Sequence, residues 1–228
     1  IATVIAVPSR AMLQIIYPIT AKLMNENKHD ELNELYKKSS ITLQIVGGLI
    51  FICILININQ LYLLLPPKYL GGVFVVFTIG LSKYFDLILG NNNAIIFNSK
   101  YYKTVLFLGV MLVVLTVVLN MIFIPLYGLE GTAFATMISI TLYSLAKLLF
   151  VVKRMNLFPF TSKTIISFGI LIICFLGFYF WEFDFHPVIN IILKSIAVSI
   201  LYVGLSYKMN LSTDINLVID KVLHRLRF

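Results

Sequence analysis

The stretch "TVLFLGVMLVVLTVVLNMIFI", residues 104–124, contains no charged side chain. An α-helix rises 1.5 Å per residue, so about 20 apolar residues cross the hydrocarbon core of a bilayer. The few polar groups within the stretch, such as Thr116 and Asn120, do not give it a polar face. The stretch therefore predicts a membrane-spanning helix, and its length sets the scale for the rest of the chain.

The composition of the whole chain points the same way. Of its 228 residues, 60% are hydrophobic and only 12% are charged, about half the charged share of an ordinary soluble domain. Six further apolar stretches have spanning length, at residues 1–21, 39–65, 71–99, 128–152, 164–180 and 188–207. We predict an all-α fold, a polytopic membrane helix bundle of about seven transmembrane helices. The chain begins at Ile1 inside the first stretch, so we expect it to lack preceding helices.

The basic residues between these stretches give an orientation. Connections on the inner side of a membrane carry an excess of Lys and Arg. One alternate set holds thirteen, namely Lys22, Lys28, Lys37, Lys38, Lys100, Lys103, Lys153, Arg154, Lys163, Lys208, Lys221, Arg225 and Arg227. The opposite set holds only Lys68. We expect a multi-pass protein whose C-terminus is cytoplasmic.

Residues with catalytic or metal-binding chemistry are scattered. The two cysteines and three histidines lie in separate segments, at Cys53, Cys174, His29, His186 and His224. Glu182 and Asp184 share a short loop with no room for a cleft, and we interpret them as solvated residues. The net charge of +8 lies between apolar stretches instead of on a soluble basic face. We expect no enzyme, cofactor, metal or nucleic-acid partner.

Polar residues within the first span form a stripe. On a helical wheel Thr3, Arg10, Gln14 and Tyr17 fall within about 60° of each other. A charge at the centre of a membrane helix costs about 2.5 to 3.5 kcal/mol, so such a stripe must face protein or a water-filled cavity. Arg10 either pairs or reaches the interface for structural reasons, or it meets an anionic substrate.

The third span carries a second stripe in "LSKYFDLILGNNNAIIFNSKYY", residues 81–102. Lys83, Asp86 and Asn93 lie within about 80° of one another, whereas Asn92 points to the opposite side. We expect Asn92 to pack against another helix or to lie at a helix break. Lys83 and Asp86 either neutralise each other or form a substrate or ion site.

Other charged segments receive structural interpretations. Lys147 and Lys194 lie nearer the ends of their spans, so we expect their ammonium groups to reach the membrane surface. Residues 25–40 alternate acids and bases and predict a solvated helical linker. The tail "DINLVIDKVLHRLRF", residues 214–228, has apolar residues at helical spacing and basic residues on other faces. It predicts an amphipathic helix at a lipid surface.

One motif carries a family resemblance. Residues 119–139, "LNMIFIPLYGLEGTAFATMIS", resemble the LN-x-x-x-IP-x-YG-x-x-GAA-x-AT-x-IS pattern of polysaccharide flippases. These proteins belong to the multidrug/oligosaccharidyl-lipid/polysaccharide exporter superfamily. "LLLPPKYLGG" (63–72) and "ILGNNNAIIFNSKYYK" (88–103) resemble the same family, as does the linker within residues 17–40. Thr132 departs from the pattern, which has Ala there. In the motif, Gly128 and Gly131 allow a tight turn between two spans.

The resemblance implies a two-lobe exporter that works by alternating access about a central cavity. The seven spans would correspond to helices eight to fourteen. Residues 1–155 would form a C-terminal transport lobe, residues 156–207 two further helices, and residues 208–228 a cytoplasmic tail. The implied function is the flipping of a polyprenyl-diphosphate-linked oligosaccharide across the bacterial inner membrane during polysaccharide biosynthesis.

Under that function each stripe acquires expected roles. We expect Arg10 and Lys83 to attract the diphosphate, and Gln14, Asn91 and Asn93 to contact sugar or water. Asp86 would tune Lys83 or carry a coupling ion. Expected partners are the lipid-linked oligosaccharide, membrane lipids and glycan-assembly proteins. The alternatives are a multidrug cation antiporter of the same superfamily, a membrane enzyme of glycan assembly, and a membrane scaffold without transport activity.

Overall fold

The computed structural model describes residues 2–66, 71–181 and 185–226, and all regular secondary structure in these ranges is helical. A 3-10 helix, Ala2–Ala6, precedes α1 (Val7–Asn25), α2 (His29–Ile56), α3 (Ile58–Leu63), α4 (Val73–Leu87), α5 (Asn92–Phe97), α6 (Tyr102–Met155), α7 (Ser162–Tyr179), α8 (Pro187–Lys208) and α9 (Thr213–Leu226). The all-α prediction is confirmed for the described residues. The sequence also drew attention to Lys68, Glu182, Asp184 and Arg227, which lie outside them.

Several of these helices have the length and composition of membrane spans. By those two criteria five segments qualify, namely residues 2–25 together with α2, α6, α7 and α8. The fold is therefore that of an apolar helix bundle, as expected for a membrane-embedded protein. The number of seven spans stays a prediction, because α4 has only 15 residues and α6 is one helix of 54 residues with a bend.

The bend in α6 lies at Gly128, which has φ 57° and ψ −129°. The rings of Phe123 and Phe134 are 6.5 Å apart, whereas a straight helix would separate such positions by about 16 Å along its axis. A Cβ atom on Gly131 would collide with the Phe123 carbonyl, so the chain turns back tightly here. The predicted turn at these glycines is confirmed. We call residues 102–127 the first arm of α6 and residues 129–155 the second arm.

The hydrophobic core forms around α2. Buried residues extend along most of this helix, and its neighbours α4, α7 and α8 contribute Tyr84, Cys174 and Tyr202 to the same core. The first arm of α6 differs sharply, since none of residues 102–127 is buried. Most of its apolar side chains are exposed, although Val105 packs against the buried cluster that includes Ile95 of α5. The second arm contacts both α4, through Phe134 and Phe74, and α5, through Lys147 and Asn93.

The predicted third span is interrupted between α4 and α5. Gly90 has φ +60°, a conformation that side chains with a Cβ rarely adopt. A Cβ atom here would lie 2.7 Å from Ser39 Oγ and 2.8 Å from Ser40 N of α2. The helix therefore breaks where its backbone touches α2 most closely, and Asn91 to Asn93 follow this break.

The polar stripes of α1 and α4 lie on neighbouring helices. Near the start of the chain, Ile5 lies 3.3 Å from the Cβ position of Gly80. Further along, Asn98 Nδ2 donates to the Tyr17 carbonyl at 3.4 Å. These contacts show that α1 runs in the same direction as α4 and α5. Arg10 and Lys83 both lie in the stretch between the two contacts.

The two charged segments, the linker at residues 25–40 and the C-terminal tail, agree in part with their predicted structures. Lys28 forms ion pairs of 3.2 Å with both Glu26 and Glu31. The predicted linker is only partly solvated, because α2 buries Leu32 and Tyr36 within it. The amphipathic tail is helical as expected and forms α9.

Candidate functional site

A charged group of side chains lies where α4, α5 and the second arm of α6 meet. Lys147 Nζ donates to Asp86 Oδ1 at 2.9 Å and to Asn93 Oδ1 at 3.1 Å. Ser144 Oγ donates to the same Asp86 oxygen at 2.8 Å. We call Asp86, Asn93, Ser144 and Lys147 the ion-pair cluster. The ammonium of Lys147 also lies 4.3 Å from the ring centroid of Tyr143.

The two charges of this cluster differ in exposure. The Lys147 side chain is 2% exposed, whereas the Asp86 side chain is 38% exposed. The prediction that Lys147 and Lys194 reach the membrane surface is wrong. Lys194 is buried, and its Nζ donates to the Ile56 carbonyl at 3.4 Å. Both lysines point into the bundle because a carboxylate or carbonyl there satisfies the ammonium.

The direct partner of Asp86 differs from the predicted one. Within the described part of the chain, no ion pair joins Lys83 to Asp86. Lys83 still interacts electrostatically with Asp86 at longer range. Lys83 and Asp86 are three positions apart on α4, a spacing that permits an ion pair. The Asp86 carboxylate instead turns towards the second arm of α6, where Lys147 binds it. Lys83 thus remains a half-buried cation beside an acid that is already neutralised.

The stripe on α1 lies next to this cluster. The ring centroid of Tyr17 lies 6.4 Å from that of Phe97 at the end of α5, the helix that carries Asn93 of the cluster. Gln14 and Arg10 lie about one and two helical turns before Tyr17 on the same side, and both are exposed. We call the surface formed by Arg10, Gln14, Tyr17, Lys83, Asp86 and Asn93 the polar face. It unites the two predicted stripes.

The asparagines that follow Gly90 separate into different roles. Asn91 is fully buried, where its side chain accepts from Ser39 and donates to Thr20. The expected contact of Asn91 with substrate is therefore not supported, since its amide joins α1, α2 and α5. Asn92 is 1% exposed, as expected for a residue that packs next to a helix break. Only Asn93 belongs to the polar face.

The polar face can attract anions more readily than it can bind metal ions. Among the described residues, no group of three or more His, Cys, Asp or Glu side chains comes together. The single acid of the face, Asp86, already has an ammonium and a hydroxyl as partners. Arg10 and Lys83 leave the surface with an excess of positive charge. Sequence reasoning missed Tyr143 and Ser144. These adjacent residues lie about one helical turn before Lys147 on the second arm.

The fold and this face define a helical membrane-type protein with a charged face along its apolar helices. Comparison of the chain with protein-family models, with curated proteins and with solved structures gives no match. The family resemblance therefore rests only on the sequence motifs described above, chiefly residues 119–139. The function proposed below is based on that motif and on the polar face.

Proposed function

We propose that the protein belongs to a transporter of the bacterial inner membrane that flips a polyprenyl-diphosphate-linked oligosaccharide by alternating access. In this proposal the C-terminus is cytoplasmic and the polar face lines part of the central cavity. The flippase-like motif at residues 119–139 motivates the class of transporter. The cations of the polar face motivate the class of substrate.

The observation that carries the proposal is that two cations of the polar face form no direct ion pair. Arg10 is exposed and Lys83 is half-buried, and neither forms an ion pair with any described residue. A charged residue within a membrane span costs about 2.5 to 3.5 kcal/mol. That cost is offset when the residue faces water or an anion, and a diphosphate supplies a strong anionic partner for both cations.

The environment of Asp86 makes a cation antiporter the weaker alternative. Such a transporter needs an acid that is free to attract a cationic drug or a coupling ion. Asp86 instead accepts hydrogen bonds from Lys147 and Ser144 through the same oxygen. Its charge is balanced within the protein, so the excess charge of the polar face is positive.

The proposal is tested by flipping assays on the full-length protein in proteoliposomes that contain a fluorescent lipid-linked oligosaccharide. We expect Arg10→Gln and Lys83→Gln each to slow flipping by about tenfold or more, because each removes a charge-assisted contact to phosphate. Lys103→Gln is the matched control, since Lys103 is an exposed basic residue away from the polar face. Wild-type rates for both Arg10→Gln and Lys83→Gln would overturn the assignment.

A further inference from the structure

A second polar region lies at the end of the bundle where α1, α5 and α6 finish and α2 begins. These four ends surround an open cavity of about 780 Å³. The volume falls within the range of small-molecule sites in proteins, about 300 to 1,000 Å³. The cavity is separate from the ion-pair cluster, and none of its lining residues was singled out as a site by the sequence.

Two basic side chains line this cavity without acidic partners. Lys100 comes from the exit of α5 and Arg154 from the last turn of α6. Within the described ranges, every ion pair involves Lys22, Lys28 or Lys147, so these two cations are unpaired. Asp30 is the single acid on the wall. The cavity therefore keeps an excess of positive charge.

Uncommitted amides complete the wall. Asn25, Asn27 and Asn156 line the cavity, and no side-chain hydrogen bond joins any of the three to a described residue. Asn27 and Asn156 both have φ 54°, a left-handed conformation that suits the end of a helix. Each free amide offers donors and an acceptor, as sugar hydroxyl groups require. Asp30 and the helix-end carbonyls add further acceptors for hydroxyl donors.

We propose that this cavity binds a glycosyl phosphate or diphosphate. Lys100 and Arg154 hold the phosphate oxygens, while the amides of Asn25, Asn27 and Asn156 contact the sugar. The cations alone would suit any anion, and the amides alone any polar group. Their combination in one cavity selects a ligand that has phosphate at one end and hydroxyl groups at the other.

The surroundings of the cavity favour a lipid-linked ligand over a soluble one. Phe97 is 54% exposed and Tyr102 is 47% exposed, and they lie on either side of the Lys100 segment. An isoprenoid chain attached to the phosphate can lie along such apolar surface in the bilayer. This choice of source rests on the proposed flippase function, for which the cavity would receive the headgroup before it reaches the polar face.

Binding to the full-length protein in nanodiscs tests the proposal by isothermal titration calorimetry. The probes are farnesyl-diphosphate-linked N-acetylglucosamine, farnesyl diphosphate without sugar, and UDP-N-acetylglucosamine. We expect Arg154→Gln and Lys100→Gln each to weaken binding of the lipid-linked sugar by about tenfold. Lys153→Gln, one residue from Arg154 and outside the cavity wall, should leave the affinity within about twofold.

A backbone-neutral variant separates sugar recognition from folding. Asn156→Gly removes the amide, and glycine keeps the left-handed conformation without strain. We expect Asn156→Gly to weaken binding of the glycosylated probe by about threefold or more and to leave farnesyl diphosphate unaffected. Equal loss for both probes would contradict sugar contact by Asn156.

Three results would overturn the proposal. The first is equal affinity in Arg154→Gln and Lys153→Gln, and the second is no binding of any probe to the wild-type protein. The third is UDP-N-acetylglucosamine binding as tightly as the lipid-linked probe, which would overturn the lipid-linked source. Failure of the flipping function leaves a different pattern. Arg154-dependent binding would then persist, while the Arg10 and Lys83 variants would show no flipping defect.

Discussion

The ion pair between Asp86 and Lys147 gives the most quantitative prediction. Asp86→Asn leaves the Lys147 ammonium 2% exposed, with the side-chain oxygen of Asn93, 3.1 Å away, as its remaining charge-neutral acceptor. Removing one partner from a buried ion pair costs about 3 to 5 kcal/mol. Because Asp86 itself is 38% exposed, we take the lower end and expect Asp86→Asn to destabilise the fold by about 3 kcal/mol.

Removal of the opposite partner should cost less. Lys147→Met leaves a carboxylate that keeps its hydrogen bond from Ser144 and its longer-range attraction to Lys83. That carboxylate is also partly exposed to solvent, since the Asp86 side chain is 38% exposed. We expect Lys147→Met to lose about 1 to 2 kcal/mol of stability, so it should be more stable than Asp86→Asn. The double variant should lose about 2 kcal/mol less than the sum of the single losses, because no unpaired charge remains.

Thermal unfolding in detergent micelles measures these differences. A thiol-reactive dye reports exposure of Cys174, which is 1% exposed in the folded protein. The Cys53→Ser background leaves Cys174 as the single thiol, because the chain has two cysteines. At about 2 to 4 °C per kcal/mol for a chain of this size, Asp86→Asn should lower Tm by about 6 to 12 °C.

A control and a refuting result complete this experiment. Ser144→Ala removes one hydrogen bond from Asp86 without removing a charge, so it should cost only about 1 kcal/mol. Additive losses in the double variant would refute the reasoning, as would a Lys147→Met variant less stable than Asp86→Asn. Either result would mean that Lys147 and Asp86 are not each other's main partner.

Further predictions concern backbone strain and charge. Gly90→Ala places a Cβ atom against α2 at positive φ, so we expect a loss of about 2 kcal/mol or more in thermal unfolding. Gly109→Ala is the matched comparison, because nothing lies within 4 Å of its Cβ position; it should be neutral or stabilising. Hydrogen bonds to Glu26 and Glu31 raise the pKa of Lys28 above 10.5. The Tm advantage over Lys28→Gln should therefore hold at neutral pH and vanish as pH rises through that raised pKa.

These results have clear contrary outcomes. A tolerated Gly90→Ala variant would mean that the break between α4 and α5 does not depend on glycine. A Tm advantage for Lys28 that grows above pH 10.5 would contradict the sign of the raised pKa. Both measurements use the same dye assay as the ion-pair variants.

Much of the fold could be predicted from hydrophobic run length. Each predicted span is largely helical in the described residues, although the second is divided between α2 and α3 and the third between α4 and α5. The turn at Gly128 was also predictable, since two glycines and a proline interrupt a long apolar run. Run length reports only how apolar a segment is along the chain. It cannot count spans where a helix bends, as α6 does, or breaks, as the third predicted span does at Gly90.

The contacts within the polar face were harder to predict from the sequence. A helical wheel relates residues within one helix, so it paired Lys83 with Asp86. The actual partner, Lys147, is 61 positions from Asp86 in the sequence. A wheel also assumes a continuous helix, and the positive φ of Gly90 changes the phase before Asn91. The glycine immediately before three asparagines was the available signal that the assumption fails.

The cavity between helix ends shows a different limit of sequence reading. Its residues come from three separate segments, within 24–33, 98–101 and 154–157, and each segment alone is an ordinary polar connection. Lys100 and Arg154 entered the sequence argument only as counts of positive charge. Packing of the helix ends brings them together, so their shared chemistry depends on the fold and not on local spacing.

The bend at Gly128 has a consequence for how the chain enters the membrane. The first arm of α6 buries no residue, so transfer of its Leu, Ile, Phe and Val side chains from water into lipid supplies most of its stability. The two arms are suited to insertion as one helical hairpin before the remaining helices assemble. In a bilayer, lipid would therefore hold most of the first arm, whereas contacts with α4 and α5 hold the second.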